Sequence, residues 1–414
     1  MTQDAGRNDH PTAAAGEMAR REESGLVQES PAGKTSGNAI AAAEVVLPCR
    51  DLDETLEFFT TRLDFRLEAI FPADHPSVAV IAGHGVRLRL CAERAEAPGA
   101  PRLQGNGPAS PGVLRLRCHD VEAVAGGAQE LTAPNGTRIE LVEADPAIRL
   151  PPLAPSFVVT RLDDAASWVR GRAGMLYRDL IPDRQGGRFV ASHIRIPAGG
   201  PVPDYVHFHH VRFQMIYCYK GWVRVVYEDQ GPPLTLQAGD CVLQPPRIRH
   251  RVLACSPGLE VIEIGSPAEH ETFADHVLAL PTPDRRPERV FSAQTFVHHR
   301  AAEATWAPWR VAGFTARDIG VAAATSGLAG VQVARRSEIA PARALRHEAE
   351  FVFLFVLAGS ITLHADGHDS RTLSAGDAFV VPARLTHRLA DASADVELLE
   401  VTLPATFPHV DGVE

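Results

Sequence analysis

Apolar residues in this chain come in short bursts bounded by glycine, proline and aspartate, without the long three-to-four-residue periodicity of a helical bundle. From Phe189 the bursts read FVASHIRI, FQMIYCY, WVRVVYE and CVLQPP; from Val331 they read VQVARR, FVFLFVL, SITLHA and AFVVPA. Such runs, rich in β-branched and aromatic residues, predict strands, and their density predicts two sandwiches or barrels. An earlier stretch differs. There AEVVLP predicts a strand, DLDETLEFFTTRL an amphipathic helix opening on an aspartate cap, and VAVIAG, VRLRLC, VLRLRC and TRIELVE further strands, so residues 39–150 predict an α+β domain.

The strand-rich part repeats itself. GMLYRDLI at 174–181 returns as GFTARDIG at 313–320, with Gly174, Arg178 and Asp179 matched by Gly313, Arg317 and Asp318. His209 and Gly221 match His347 and Gly359; Gly239, Asp240, Pro245, Arg247 and His250 match Gly376, Asp377, Pro382, Arg384 and His387. The offset drifts from 139 to 137, as loop deletions make it. Pro-rich linkers near 150–155 and 281–290 divide the chain into a tail (1–38), the α+β domain (39–150), and two copies of one module (151–285 and 286–414).

Composition narrows the classes. Over 414 residues, 45% hydrophobic and 22% charged positions are ordinary for a globular protein, and about 150 residues per domain makes three domains reasonable. Met1 to about Asn38 mixes Gly, Ser, Ala, Glu and Arg without apolar periodicity and reads as a disordered tail, not a signal peptide. A net charge of -10 without a Lys/Arg cluster argues against nucleic acid, and no apolar run is long enough to span a membrane. The six cysteines are scattered, with no C-x-x-C pair, which fits a reducing cytoplasm better than a disulfide framework.

The candidate chemistry lies in VHFHHVRFQMIYCYKG, residues 206–221. His207 and His209, two apart on a strand, point to one face; Gln214 opens the next strand, facing the same way as Ile216 and Cys218, and His250 follows a hairpin that can return it opposite. His210 then points away. Tyr205 shares the inward face as a tentative substrate contact, and Arg247, near His250, is a second one. The spacing resembles the two motifs of the cupin superfamily, G-x(5,6)-H-x-H-x(3,4)-E-x(6)-G and G-x(5)-P-x-G-x(2)-H, with Gln214 at the usual Glu and Arg247 at the second motif's inner Gly. The resemblance implies a bicupin of two jelly-roll β-barrels in which His207, His209, Gln214 and His250 hold one divalent metal. Three imidazoles suit Fe, Mn, Cu, Zn or Ni, and an amide oxygen can complete the protein shell.

The second copy keeps two ligand positions, His347 and His387, while Leu345 and Val352 replace the other two; Glu348 or Glu350 could substitute after a shift in the turn. Its apolar FVFLFVL argues for a filled barrel. The segment from Glu44 to Phe71, with APNGTRIELVE at 133–143, resembles the glyoxalase/bleomycin-resistance module, the vicinal oxygen chelate fold. By that resemblance Glu44 and Glu140 fall at ligand positions and Val113 where His is common, so a binding or dimerising role, as in a homodimer, is the simpler expectation.

Three function classes follow. The pairing of a three-His first cupin with an eroded second one resembles gentisate-type ring-cleaving bicupins, which implies an Fe(II) dioxygenase acting on a small aromatic or organic acid. Some pectin-degrading cupins are similar in using three His and a Gln, which implies a non-redox isomerase or lyase on a sugar acid. The third class is a ligand-binding or sensor protein without turnover.

Overall fold

The computed structural model describes residues 40–49, 51–62, 65–83, 85–92, 113–132, 138–164, 168–171 and 174–411. The expected tail at 1–38 and the turn at 133–137 lie outside them. The protein is mainly β, with two jelly-roll barrels preceded by an α+β unit. Among the described residues no helix is long and apolar enough to cross a membrane.

In the α+β unit, strand Ile40–Cys49 leads into the short helix Leu52–Glu57, whose first turn is capped by the Asp51 carboxylate accepting from the Glu54 N–H at 2.9 Å. Three antiparallel strands follow, Arg66–Phe71, Val78–Gly83 and Val86–Ala92, the last lying parallel to the first strand. A second half, Val113–Cys118, helix Val121–Ala125, Glu130–Thr132 and Arg138–Glu143, repeats the pattern with one strand fewer and joins through the antiparallel pair Ile40–Cys49 and Val113–Cys118.

This sheet does not stop at the domain edge. Strand Arg66–Phe71 pairs with Thr272–Ala274, which pairs with His207–His209, so thirteen described strands form one sheet running from the α+β unit into a wall of the first barrel. That wall also contains Trp222–Tyr227, Leu234–Gln237 and His250–Cys255. The facing wall is built on Val190–Ile196, Phe213–Lys220, Cys241–Leu243 and Leu259–Ser266.

The two barrels share the largest core. Strand Phe213–Lys220 turns Phe213, Met215 and Tyr217 toward the second barrel, while Cys218 packs inside its own. Strand Phe351–Ala358 does likewise: Phe351, Phe353 and Phe355 enter the shared core, and Val352, Leu354 and Val356 fill the second barrel. A strand buried on both faces has no polar side to show, which explains the unbroken FVFLFVL.

The barrels also exchange strands. Val158–Thr160, before the first barrel, pairs with Ala378–Val380 of the second, and Val297–His299, before the second, pairs with Cys241–Leu243 of the first. The matched residues of the repeat serve this pseudo-symmetric contact. Arg317 donates to the Gly239 carbonyl at 2.9 Å and Arg178 donates to the Gly376 carbonyl; Asp240 accepts from the Ala301 N–H and Asp377 from the Leu162 N–H, both at 2.8 Å.

Candidate metal centre

His207 and His250 face each other as a directly opposed cross-strand pair, and His209 lies two residues along the same strand as His207. This places one ligand nitrogen from each imidazole within 4.8 Å of the other two, and all three residues are buried. Their Nδ1 edges are tied to protein. The Nδ1–H of His207 donates to the Tyr205 carbonyl at 2.8 Å and that of His250 to the Ile248 carbonyl at 3.0 Å. His209 Nδ1 meets the Thr272 hydroxyl at 3.0 Å. A backbone carbonyl can only accept, so it selects the tautomer with its lone pair on Nε2, the form that binds a metal. The donor set therefore fits a divalent ion of the first transition row.

Gln214 is buried, with its Nε2 donating to Glu263 Oε1 at 2.5 Å. Glu263, on strand Leu259–Ser266, lines a cavity of about 100 Å³ together with the three histidines, Tyr227 and Gln244. The remaining wall is almost wholly apolar, from Met175, Ile194, Ile216, Val223, Leu236 and Val261 among others. Burial pushes the Tyr227 phenol well above its usual range, so it is a protonated donor. Ala73, from the α+β unit, also lines the cavity.

The other residues singled out in the sequence take different places. Tyr205 and Arg247 are not among the lining residues. Tyr205 touches the centre through its backbone carbonyl and through its ring, edge-on to His207 at 5.8 Å between centroids, while the Arg247 side chain pairs with Asp145 at the seam with the α+β unit. Arg247 occupies the glycine position of the motif in a left-handed conformation (φ 66°), its N–H donating to the His209 carbonyl at 3.0 Å. Arg384 repeats this at φ 69°, donating to the His347 carbonyl at 2.8 Å. A left-handed backbone at a non-glycine residue costs roughly 1–2 kcal/mol. His210 points away from the cluster, toward Glu271 at 3.6 Å, and burial pushes the Cys218 thiol up to about 12, as suits a packing residue.

In the second barrel the ring of His347 is used up by the backbone: its Nδ1 accepts from the Ala349 N–H and its Nε2–H donates to the Val381 carbonyl, both at 3.2 Å. Burial, His387 and Arg310 push it down to about 4. Arg310 makes a two-pronged ion pair with the buried Glu400, and Leu345 and Val352 belong to the apolar filling. Glu348 and Glu350 are held by Arg384 and by Arg188 and Arg212, respectively.

In the α+β unit the two carboxylates do not meet. Glu44 accepts from Arg89 at 3.0 Å and Glu140 from Arg115 at 2.8 Å, and Arg115 stands in register between them on the intervening strand. Val113 is buried.

Glu263 and Thr272 were missed in the sequence. Thr272 carries no motif and reaches His209 only through strand pairing. Glu263 left one signal: at the same offset of 137 that relates His250 to His387, its repeat partner is Glu400.

The cupin domain model matches residues 192–262 and 336–402. No curated protein matches the chain. Among solved structures the chain is similar to oxalate decarboxylase from Bacillus subtilis (13% identity, 63% of this chain and 78% of that one, TM-score 0.45). A variant of salicylate 1,2-dioxygenase from Pseudoaminobacter salicylatoxidans in complex with gentisate shows 15% identity over 64% of this chain and 88% of that one, with a TM-score of 0.48. For the formate complex of oxalate decarboxylase from Lactobacillus farciminis the figures are 13%, 63%, 91% and 0.45.

Proposed function

We propose that the first barrel is a metalloenzyme site of the cupin kind, with one divalent ion held by His207, His209 and His250; Gln214, at the motif's fourth ligand position, has its amide on Glu263 and is not counted among the ligands. Its activity in this reading is that of an Fe(II)-dependent dioxygenase on a small aromatic or organic acid. The carrying observation is the convergence of three buried imidazoles whose ligand atoms lie within 4.8 Å of one another. When bound, the metal supplies a Lewis acid and, as iron, a redox centre for an organic acid and dioxygen.

The protein's own part is positional. The carbonyls of Tyr205 and Ile248 and the hydroxyl of Thr272 orient the imidazoles before any ion arrives. The apolar wall excludes water and accepts the flat body of a ring, with Tyr227 and Gln244 as polar handles. The same wall disfavours the isomerase or lyase reading, because a sugar acid would press its hydroxyls against Ile194, Val223 and Leu236 without partners. For the α+β unit, a strand-helix-three-strand half followed by a shorter second half supports a glyoxalase-like binding unit, without metal at Glu44 and Glu140.

Metal analysis of the purified protein, with O2 uptake measured against aromatic acids and sugar acids, tests the reading. Iron with uptake dependent on an aromatic acid is expected; another metal without uptake favours the lyase class, and bound ligand without turnover a sensor. His207→Ala and His250→Ala should lose the metal while His210→Ala keeps it. Stoichiometric metal in both ligand variants would overturn the site.

A further inference from the structure

Three neutral imidazoles leave a divalent ion with its full charge inside a largely apolar cavity, and buried charge of that size calls for an opposite charge close by. The cupin-like motif would have supplied it at position 214, where this chain has glutamine. The structure puts a carboxylate one strand away. Glu263 lines the cavity with the three histidines, on a strand that pairs directly with the one carrying Gln214: Gln214 is opposite Gly265, and Glu263 opposite Ile216. Gln214 itself is not among the lining residues; its Nε2 donates to Glu263 Oε1 at 2.5 Å. The amide thus holds the carboxylate, and the carboxylate faces the cavity.

The second barrel keeps a carboxylate at the same strand position. Its Glu400, the repeat partner of Glu263, is 2% exposed and grips the Arg310 guanidinium, which stacks 4.6 Å from the Trp309 ring. Arg310 is close enough to His347 and His387, the two surviving ligand positions, to shift both of them downward after burial and their other neighbours are counted. There, the carboxylate of this strand holds a fixed cation beside the site histidines.

We infer that Glu263 is the charge-neutralising carboxylate of the metal centre, positioned by Gln214: the negative charge absent from the motif has moved to the neighbouring strand. This rests on the metal-site reading above. The test is titration of Mn(II) into metal-free protein by calorimetry, for the wild type, His207→Ala, Glu263→Gln and the double variant Gln214→Glu/Glu263→Gln, with circular dichroism as the check on folding. Glu263→Gln keeps the shape and the contact to Gln214, and should weaken Mn(II) binding by about ten- to a hundredfold. The double variant returns the charge to the motif position and should recover most of that loss. If Glu263→Gln binds as the wild type does while His207→Ala does not bind, the inference about Glu263 fails and the site stands. A double variant as weak as the single one also overturns it. If His207→Ala binds like the wild type, the metal site and the inference fail together.

Discussion

Replacing Thr272 by valine is a small change with a readable consequence at the metal centre. The hydroxyl of Thr272, a fully buried residue, meets His209 Nδ1 at 3.0 Å. With Nε2 as the ligand atom, Nδ1 carries the proton and donates it to that oxygen. Valine matches threonine in shape but offers no acceptor, so the His209 N–H, on a residue only 6% exposed, loses the hydroxyl that accepts from it. Stranding a buried donor costs about 1–3 kcal/mol, which at 1.4 kcal/mol per decade is a loss of about 5- to 150-fold in metal affinity. The range agrees with the roughly 10–100-fold typical of losing a group that orients a metal-binding histidine. Calorimetric titration of metal-free protein with Mn(II) reads the effect, and thermal unfolding of the same metal-free samples separates it from a general loss of stability. Thr272→Ser, which keeps the oxygen, should bind within a few-fold of the wild type. Wild-type affinity in Thr272→Val would refute the claim that His209 is held through Nδ1.

Two further outcomes concern the second barrel. Arg310→Met leaves Glu400 buried without its cation and should destabilise the fold by about 3–5 kcal/mol in urea unfolding, whereas Arg310→Met/Glu400→Gln should lie close to the wild type; equal stability of the single variant would contradict the ion pair's role. His347, depressed from 6.5 to about 4 by burial first, stabilises the neutral fold. That contribution, about 3 kcal/mol, is fully present above pH 6.5 and is lost as the pH falls from there through 4, because the unfolded chain takes up the proton first. His347→Gln should therefore show a shallower loss of stability between pH 7 and pH 4; an unchanged slope would count against it.

What could be read in the chain depended on whether the contact was local. His207 and His209 share a face because strand side chains alternate, so spacing alone brought them together; the same rule turned Gln214 inward as a fourth ligand, whereas its amide holds Glu263 and does not line the cavity. Glu263 meets Gln214 only across a strand pair 49 residues away, which periodicity does not report. Tyr205 was noticed for its ring, which lies edge-on to His207 with centroids 5.8 Å apart, while its backbone carbonyl, which no side-chain pattern reports, accepts from the same imidazole. Arg247 suggested a substrate contact by its charge; in the structure that charge is matched by Asp145, and the residue's backbone shapes the turn behind His209. The matches of Arg178 with Arg317 and of Gly239 with Gly376 were visible as a repeat, but their reason, a contact between the barrels, needed the folded chain.

The exchange of Val158–Thr160 and Val297–His299 changes what the two halves can be asked to do separately. Each barrel borrows a border strand from chain belonging to the other, so a cut at the linker removes a strand from both products. The duplication thus behaves as two linked copies of a partner-swapped pair. Within that pair, the obligation to fold falls on both copies, while in the proposed reading only the first holds a metal. The second copy has Leu345 and Val352 at the motif's ligand positions and an ion pair in its interior, and still completes the sheet of its neighbour.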